Sequence, residues 1–237
     1  MSILADQEAA EFDLARHSVR ELNAALHRLR VDTNLSHWRV LNPAGRHTLA
    51  AGLTIPITVE IDGHAGYYCA GMNQRATVIV KGNVATGVAE NMMSGFVHVR
   101  GDASQSAGAS AQGGLLLIEG DAAARCAISL KGADVVVKGS VGHLSAFMAQ
   151  AGTFVVLGDA GASLGDSIYE ARVYVRGNVA SLGADCIEKN MQDHHRAALH
   201  MKLEAAGLAG EVDVGEFRRY GSARRLYNFH VDNAAAY

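Results

Sequence analysis

Three histidines close together in the sequence are the residues whose type most readily suggests metal chemistry: His194, His195 and His200. Histidines can hold zinc from a helix when two of them lie one turn apart on the same face. The spacing here does not place any two of the three in that arrangement. The sequence therefore favours solvated helix histidines over metal ligands.

Cationic and aromatic side chains are mixed near the end of the chain. Arginine with tyrosine and phenylalanine is the composition of protein interfaces, so these residues predict a docking surface for a partner. Two alternatives remain: the segment folds back on its own chain, or its arginines hold an anion such as a flavin phosphate. The predicted interface residues of this segment are Arg218, Arg219, Tyr220, Arg224, Arg225 and Tyr227.

Other residue types that could do chemistry have simpler structural explanations. Asp102, Asp121 and Asp159 recur at one position of a repeat, where short polar residues shape turns. Cys69 and Cys126 lie three repeats apart, too far for a disulfide, and with Cys186 they are predicted to be free structural thiols. No nucleophile elbow, phosphate-binding loop or dinucleotide fingerprint occurs. We therefore predict no catalytic, cofactor-binding or metal-binding residue on this chain.

A fixed period of 19 residues organises the elements that would position all of these side chains. It is marked by seven glycines: Gly63, Gly82, Gly101, Gly120, Gly139, Gly158 and Gly177. The positions four and two before each glycine are always apolar, which is the period of a strand with one buried face. Short periods of this kind are typical of solenoids.

The second half of each repeat supports the same fold. The position seven after the glycine is always Ala or Gly, which predicts a narrow interior, and the residue directly after the glycine is polar. The glycines themselves are predicted to take positive φ at a corner. The sequence thus predicts an all-β solenoid, a right-handed parallel β-helix of about seven 19-residue coils with short N- and C-terminal helical caps. Fourteen residues between strands leave no room for βαβ units.

The ends of the solenoid are predicted to be covered by helices. Residues 18–30 have a capping box at Ser18 and Glu21 and an apolar stripe. Residues 187–206 form a second helical segment, with Gly207 as its stop. The predicted organisation is a helix and lead-in over 1–57, the β-helix over 58–190, and a helix with a docking tail over 191–237.

One column on the outer face of the strands is unexpectedly apolar. Three before the glycine stand Glu60, Ile79, His98, Leu117, Val136, Val155 and Tyr174. An apolar stripe of this size needs a cover, either a terminal helix of this chain or another protein. The sequence favours a partner, so the predicted interface includes Ile79, Leu117, Val136, Val155 and Tyr174.

Composition limits the classes of partner and the compartment. The formal net charge is −3 in 237 residues, which does not fit a nucleic-acid-binding protein. The chain has no apolar run of 18 residues, and its N-terminus lacks a basic-then-apolar signal. We expect a cytoplasmic protein that binds neither nucleic acid nor membrane.

The repeat resembles the GXGXG family, the β-helical domain at the C-terminal end of the large subunit of glutamate synthase. That pattern is visible in Gly82-Asn83-Val84 through Gly95-Phe96-Val97-His98-Val99, and in Gly101-Asp102-Ala103 through Gly114-Leu115. The chain departs from glutamate synthase by lacking an Asp-Tyr pair after the Gly-Asp-Ala turn. With residues 12–30 and 217–233 included, it most resembles the stand-alone form, which comprises the β-helical subunit of N-methylglutamate synthase and GlxC-type proteins.

This resemblance implies a hetero-oligomeric complex. One partner would be a glutamine amidotransferase-like subunit, and another an FMN-binding glutamate synthase-like subunit that also holds an iron–sulfur cluster. The complex would convert methylamine and L-glutamate to N-methyl-L-glutamate and ammonia. The family's β-helical domain carries no catalytic residue, so none is transferred to this chain.

Two alternatives stay open at this point. Formylmethanofuran dehydrogenase contains a subunit with a similar rod, and the partners of that subunit carry molybdenum or tungsten. Some β-helix proteins are polysaccharide-acting enzymes with aromatic platforms along a groove, but this chain has a single tryptophan, Trp38, outside the predicted coils.

Overall fold

The computed structural model describes residues 9–225 and shows a parallel β-solenoid with two α-helices. One column of short strands forms a continuous 11-stranded sheet along the rod. The strands are β1 (Ala10–Asp13), β2 (His37–Leu41), β3 (Thr58–Ile61), β4 (Thr77–Val80), β5 (Phe96–Val99), β6 (Leu115–Ile118), β7 (Lys131–Val137), β8 (Ala151–Val156), β9 (Arg172–Val175), β10 (Cys186–Lys189) and β11 (Arg218–Ser222). The helices are α1 (Val19–His27) and α2 (Asp193–Ala205), followed by a 3-10 turn at Val214–Glu216.

The predicted 19-residue coils are confirmed by the strand register. From β3 to β9 each strand pairs in parallel with the next, and equivalent residues such as Val59, Val78 and Val97 are direct partners. A second wall is formed by single parallel bridges at the position two after each glycine, from Ala65 to Val179. Both columns point inward, and their side chains fill the apolar core.

The predicted narrow interior is also confirmed. Ala70, Ala89 and Ala127 are fully buried, and a Cβ added at Gly108 would lie 3.1 Å from the Val135 side chain. Six of the seven residues in this small-residue column take a left-handed backbone conformation, with φ between 53° and 68°. Residues two positions away, such as Tyr68 and Met72, also have positive φ, and together these left-handed residues turn the chain within each coil.

The reason for the repeated glycine differs from the one expected. Only Gly63 of the seven has positive φ. The others are needed because successive coils stack too closely for a side chain: a Cβ at Gly120 would lie 2.9 Å from the Gly101 carbonyl carbon and would collide with the Asp102 carboxylate. The prediction of positive φ at the corner was therefore wrong for six of the seven positions.

The polar residue after each glycine bonds to the next coil. Its side chain accepts a hydrogen bond from the backbone N–H of the equivalent residue 19 positions later, at 2.7 to 3.0 Å, as from Asp121 to Asp102. This polar ladder runs from His64 to Asn178 on the outside of the corner. It satisfies backbone donors at the corner and fixes the spacing of the coils.

The sheet extends beyond the predicted solenoid at both ends. β1 and β2 add two parallel strands before residue 58. Paired residues are 28 positions apart in the sequence between β1 and β2 and 21 apart between β2 and β3, instead of 19. At the other end, β11 inserts antiparallel between β9 and β10. Local sequence periodicity does not report these strands because neither end keeps the 19-residue period.

The two helices only partly match the sequence prediction. α1 has the predicted capping box between Ser18 and Glu21, and it buries Leu22 and Leu26 against the core. α2 is shorter than predicted because residues 187–189 form part of β10. Gly207 follows the last turn with φ +75°, as expected for a helix stop. Within residues 9–225, neither helix has the length and apolar content needed to cross a membrane.

Candidate functional site

The apolar stripe on the outer face is covered by the chain itself. Val136 and Val155 are fully buried, and Leu117 and Tyr174 are 4% and 1% exposed. They pack in one cluster with α2 and the segment after it, through Leu199, Leu203, Ala206, Leu208 and Phe217. The prediction that Leu117, Val136, Val155 and Tyr174 meet a partner is corrected, since in this structure the C-terminal helix takes that place.

An ion pair joins α2 to this surface. Lys202 donates from Nζ to Asp134 Oδ2 of β7 at 2.9 Å.

At the other end of the helix, His195 is 9% exposed, and its Nδ1 accepts the Gln192 backbone N–H at 3.2 Å. Burial, with help from Arg219, His194 and Arg172, lowers the pKa of His195 to about 4. His195 is thus a buried neutral cap, and the prediction of a solvated histidine at this position is corrected.

The outer face is polar where α2 does not reach. Glu60 forms an ion pair with Lys81, with 2.6 Å between Oε2 and Nζ, and its Oε1 lies 3.0 Å from His37 Nε2. Lys81 and Arg39 both form ion pairs with Asp62, and these cations together with hydrogen bonds lower the pKa of Asp62 despite its partial burial.

Ile79 lies on the strand beside these charged residues and is half-buried. Its role in a partner interface remains a prediction.

Two of the arginines near the end of the chain, Arg218 and Arg219, lie in β11 at the last rungs of the sheet. Tyr220 lies in β11, is 2% exposed and packs into the solenoid core, so its predicted role in a partner interface is corrected. Arg218 and Arg225 are exposed, and Arg218 donates to the Gly177 carbonyl at 2.8 Å. Arg219 donates twice to the Asn190 carbonyl. Tyr227 lies outside the described residues.

A cleft of about 590 Å³ lies between the N-terminal end of α2 and the ends of β9, β10 and β11. We call it the cation-lined cleft, because its walls include Arg172, Lys189, Arg219 and Arg224, with His194 and His195 beside them. Burial and the neighbouring Arg224 and Arg219 lower the pKa of Lys189. Burial and Arg172 also lower the pKa of Arg219. The cleft therefore concentrates positive charge that its surroundings only partly balance.

The cysteines and histidines do not form a reactive or metal-binding centre in the part of the chain that the structure describes. Cys69, Cys126 and Cys186 are free and buried, and burial raises the pKa of each thiol to about 12. Such thiols are poor nucleophiles and poor ligands. No cluster of three metal-ligating side chains occurs within residues 9–225.

Four exposed apolar side chains on neighbouring turns were not predicted from the sequence. Tyr67, Tyr68, Met72 and Met93 are between 45% and 56% exposed on the turns of two consecutive coils. Tyr67 stacks on His47 with ring centroids 4.4 Å apart, and the backbone N–H of Met93 bonds to Asn73 beside Met72. We call these four residues the tyrosine–methionine patch. The sequence does contain a signal for them, because later coils carry mostly small or polar residues at the same turn positions.

The comparisons with known proteins give a relative for nearly the whole chain. The chain is 56% identical over 225 residues to Protein GlxC of Rhizobium meliloti (strain 1021), and the alignment covers 95% of this chain and 98% of that protein. No model of a protein family matches the chain. No solved structure matches it. Because identity at this level extends over nearly the full length of both proteins, the chain belongs to the GlxC family.

Proposed function

We propose that this chain is the structural subunit of a heteromeric glutamate-synthase-like enzyme, N-methylglutamate synthase. The complex converts methylamine and L-glutamate to N-methyl-L-glutamate and ammonia in the cytoplasm. In this role the chain joins an amidotransferase-like subunit to an FMN-binding glutamate synthase-like subunit. It is part of a transferase with flavin chemistry, but its own residues hold and space the partners.

The observation that carries this proposal is the constant 19-residue register of the inner strand column, which is kept past the single shift between Lys131 and Asp134 of β7. Seven coils follow one another at this spacing, and the polar ladder ties each corner to the next. A rod of this kind is stiff, because bending it would break many hydrogen bonds together. Stiffness suits a subunit that keeps two reaction sites at a fixed distance.

Only part of the partner surface that the sequence suggested is exposed in the structure. With the outer stripe covered by α2, the tyrosine–methionine patch is the apolar surface that best fits docking. Tyrosine and methionine are enriched in interfaces, and these four side chains are close to half exposed. Arg218 and Arg225 at the other end of the rod are exposed cations that fit a second, polar contact.

The cofactors of the complex belong to the partners in this proposal. FMN and the iron–sulfur cluster are assigned to the glutamate synthase-like subunit. The cysteines of this chain do not fit a cluster, because Cys69 and Cys126 stand three coils apart inside the core. Trp38 is 8% exposed and bonds to the Leu35 carbonyl, so it does not offer the aromatic platform of a polysaccharide-acting enzyme.

Capture from the native host tests this proposal. The tagged chain is purified from cells grown on methylamine, and the proteins that accompany it are identified by mass spectrometry and absorbance. An amidotransferase-like chain together with a yellow flavoprotein is the expected result. Partners that carry molybdopterin would move the chain to a formylmethanofuran dehydrogenase-type complex, and a chain that is purified alone would contradict the proposal.

A matched pair of variants locates the interface in the same experiment. Replacing Tyr67 and Met72 by serine is expected to reduce the recovery of at least one partner, because the patch loses most of its apolar area. Replacing Met201 of α2 by serine serves as the control, since this residue is 58% exposed at a distance from the patch in sequence and fold. Equal recovery with both variants would remove the patch from the proposed interface.

A further inference from the structure

The cation-lined cleft holds more positive charge than its own carboxylates balance. Four cations line it, whereas Glu170 is the only acidic side chain on its walls within residues 9–225. Glu170 is already engaged by Arg224 at 3.6 Å. Among the described residues, no carboxylate oxygen lies within ion-pair distance of Arg172 or Lys189.

Two of these cations face each other directly across a pair of strands. Lys189 of β10 and Arg219 of β11 are register partners in the antiparallel ladder. Like charges in directly opposite positions destabilise a sheet. An anion between them would convert this repulsion into two charge-assisted hydrogen bonds.

We propose that the cation-lined cleft is a binding site for a small molecule with two or more negatively charged oxygens, a phosphate or a dicarboxylate. Arg172 and Lys189 provide the primary contacts, because no ion pair engages either side chain within the described part of the chain. Arg219 and the N-terminal turn of α2 complete the positive surroundings. This site is independent of the partners that the proposed function invokes.

The shape and surroundings of the cleft fit a small ligand. Its volume of about 590 Å³ is in the range of small-molecule sites. Gln192, the residue before α2, lines it, so the positive end of a 13-residue helix points toward the ligand.

Thermal unfolding of the full chain at constant ionic strength tests this site. Inorganic phosphate and succinate are titrated separately, and isothermal titration calorimetry gives the dissociation constant. At least one of the two anions is expected to bind and to raise the melting temperature by mass action. The anion that binds identifies the ligand chemistry as phosphate or dicarboxylate.

Three variants separate a built site from general charge. Arg172→Gln and Lys189→Gln are expected to weaken binding about tenfold or more, the scale of a lost hydrogen bond to a charged group. Arg218→Gln is the matched control, because Arg218 is an exposed arginine on β11 that does not line the cleft. It is expected to bind like the parent.

The variant Lys189→Gln is expected to weaken anion binding but to raise the melting temperature of the anion-free chain. Without anion it is expected to melt above the parent, since it removes the repulsion from Arg219. With anion it is expected to lose the ligand-dependent rise. Binding of neither anion, or an equal loss of binding in Arg218→Gln, would overturn the proposal.

Discussion

Val136 lies in a column whose members have very different surroundings along the rod. It is fully buried under α2, whereas Ile79, three coils earlier in the same column, is half-buried among charged neighbours. The side-chain type alone does not distinguish them. Only the position of α2 decides which apolar residue of the column is in the core.

Replacing Val136 with aspartate tests whether α2 covers the stripe in the isolated chain. The carboxylate would be buried without a partner, so we expect the free energy of unfolding to fall by about 3–5 kcal/mol. Ile79→Asp is the matched control, with an expected loss of about 1 kcal/mol or less. Urea unfolding of both purified variants measures the difference. A Val136→Asp chain as stable as Ile79→Asp would mean that the stripe is open in solution.

The coil glycines make a second prediction at the scale of single residues. A Cβ at Gly120 would meet the Gly101 backbone and the Asp102 carboxylate of the preceding coil. We therefore expect Gly120→Ala to destabilise the chain by about 1–3 kcal/mol, as overpacking does. Gly221→Ala is the control, because its Cβ would meet its nearest neighbours at 3.8 Å, an ordinary contact.

Thermal or urea unfolding of the two alanine variants decides the role of the glycine column. Equal stability of Gly120→Ala and Gly221→Ala would show that the coils can separate enough to admit a methyl group. In that case close stacking would not explain why glycine recurs every 19 residues.

At the scale of elements, the N-terminal cap of α2 depends on a neutral histidine. Nδ1 of His195 accepts the Gln192 N–H, so protonation there would break the cap. Its pKa is lowered from 6.5 to about 4 in the folded chain, chiefly by burial. Between these pH values the unfolded chain binds a proton that the folded chain does not. Stability is therefore lost as the pH falls from about 6.5 toward 4.

The measurable consequence is a difference in slope between two histidine variants. His195→Gln is expected to reduce the pH dependence of the free energy of unfolding between pH 4 and 6.5, by up to about 1.4 kcal/mol per pH unit for one proton. His200→Gln, an exposed position on the same helix, is expected to retain the slope of the parent. Identical slopes in both variants would contradict a buried neutral His195.

The elements also show what the sequence could and could not predict. β3 to β9 were predictable because buried apolar columns, the coil glycine and the polar ladder all repeat with one period. Residues 187–189 of β10 were predicted as helix, because the pairing of β10 with β11 is a long-range contact that no local pattern shows. In α2 the buried apolar residues are Leu199 and Leu203, whereas Met201 is exposed.

The candidate sites were less predictable than the fold for a related reason. The cation-lined cleft brings together residues from β9, β10, β11 and the start of α2, and no local spacing connects Arg172 with Arg219. The tyrosine–methionine patch requires knowing which turn residues stack on one another. Both surfaces depend on how distant segments meet at the ends or turns of the rod.

At the scale of the whole molecule, the rod carries three surfaces of different chemical character. One apolar outer face is closed by α2, the tyrosine–methionine patch is open near the first coils, and the cation-lined cleft lies at the last rungs. A stiff solenoid keeps the patch and the cleft at a fixed separation. This arrangement suits a subunit whose contribution to catalysis is to position its partners.

The most direct test of this role is the formation of N-methylglutamate with and without this chain. Extract from a host strain that lacks the chain is assayed with methylamine and L-glutamate, and the purified chain is then added back. We predict little product without the chain, recovery when it is added, and none from the chain alone. Full activity in its absence, or turnover by the purified chain alone, would contradict a structural subunit of this enzyme.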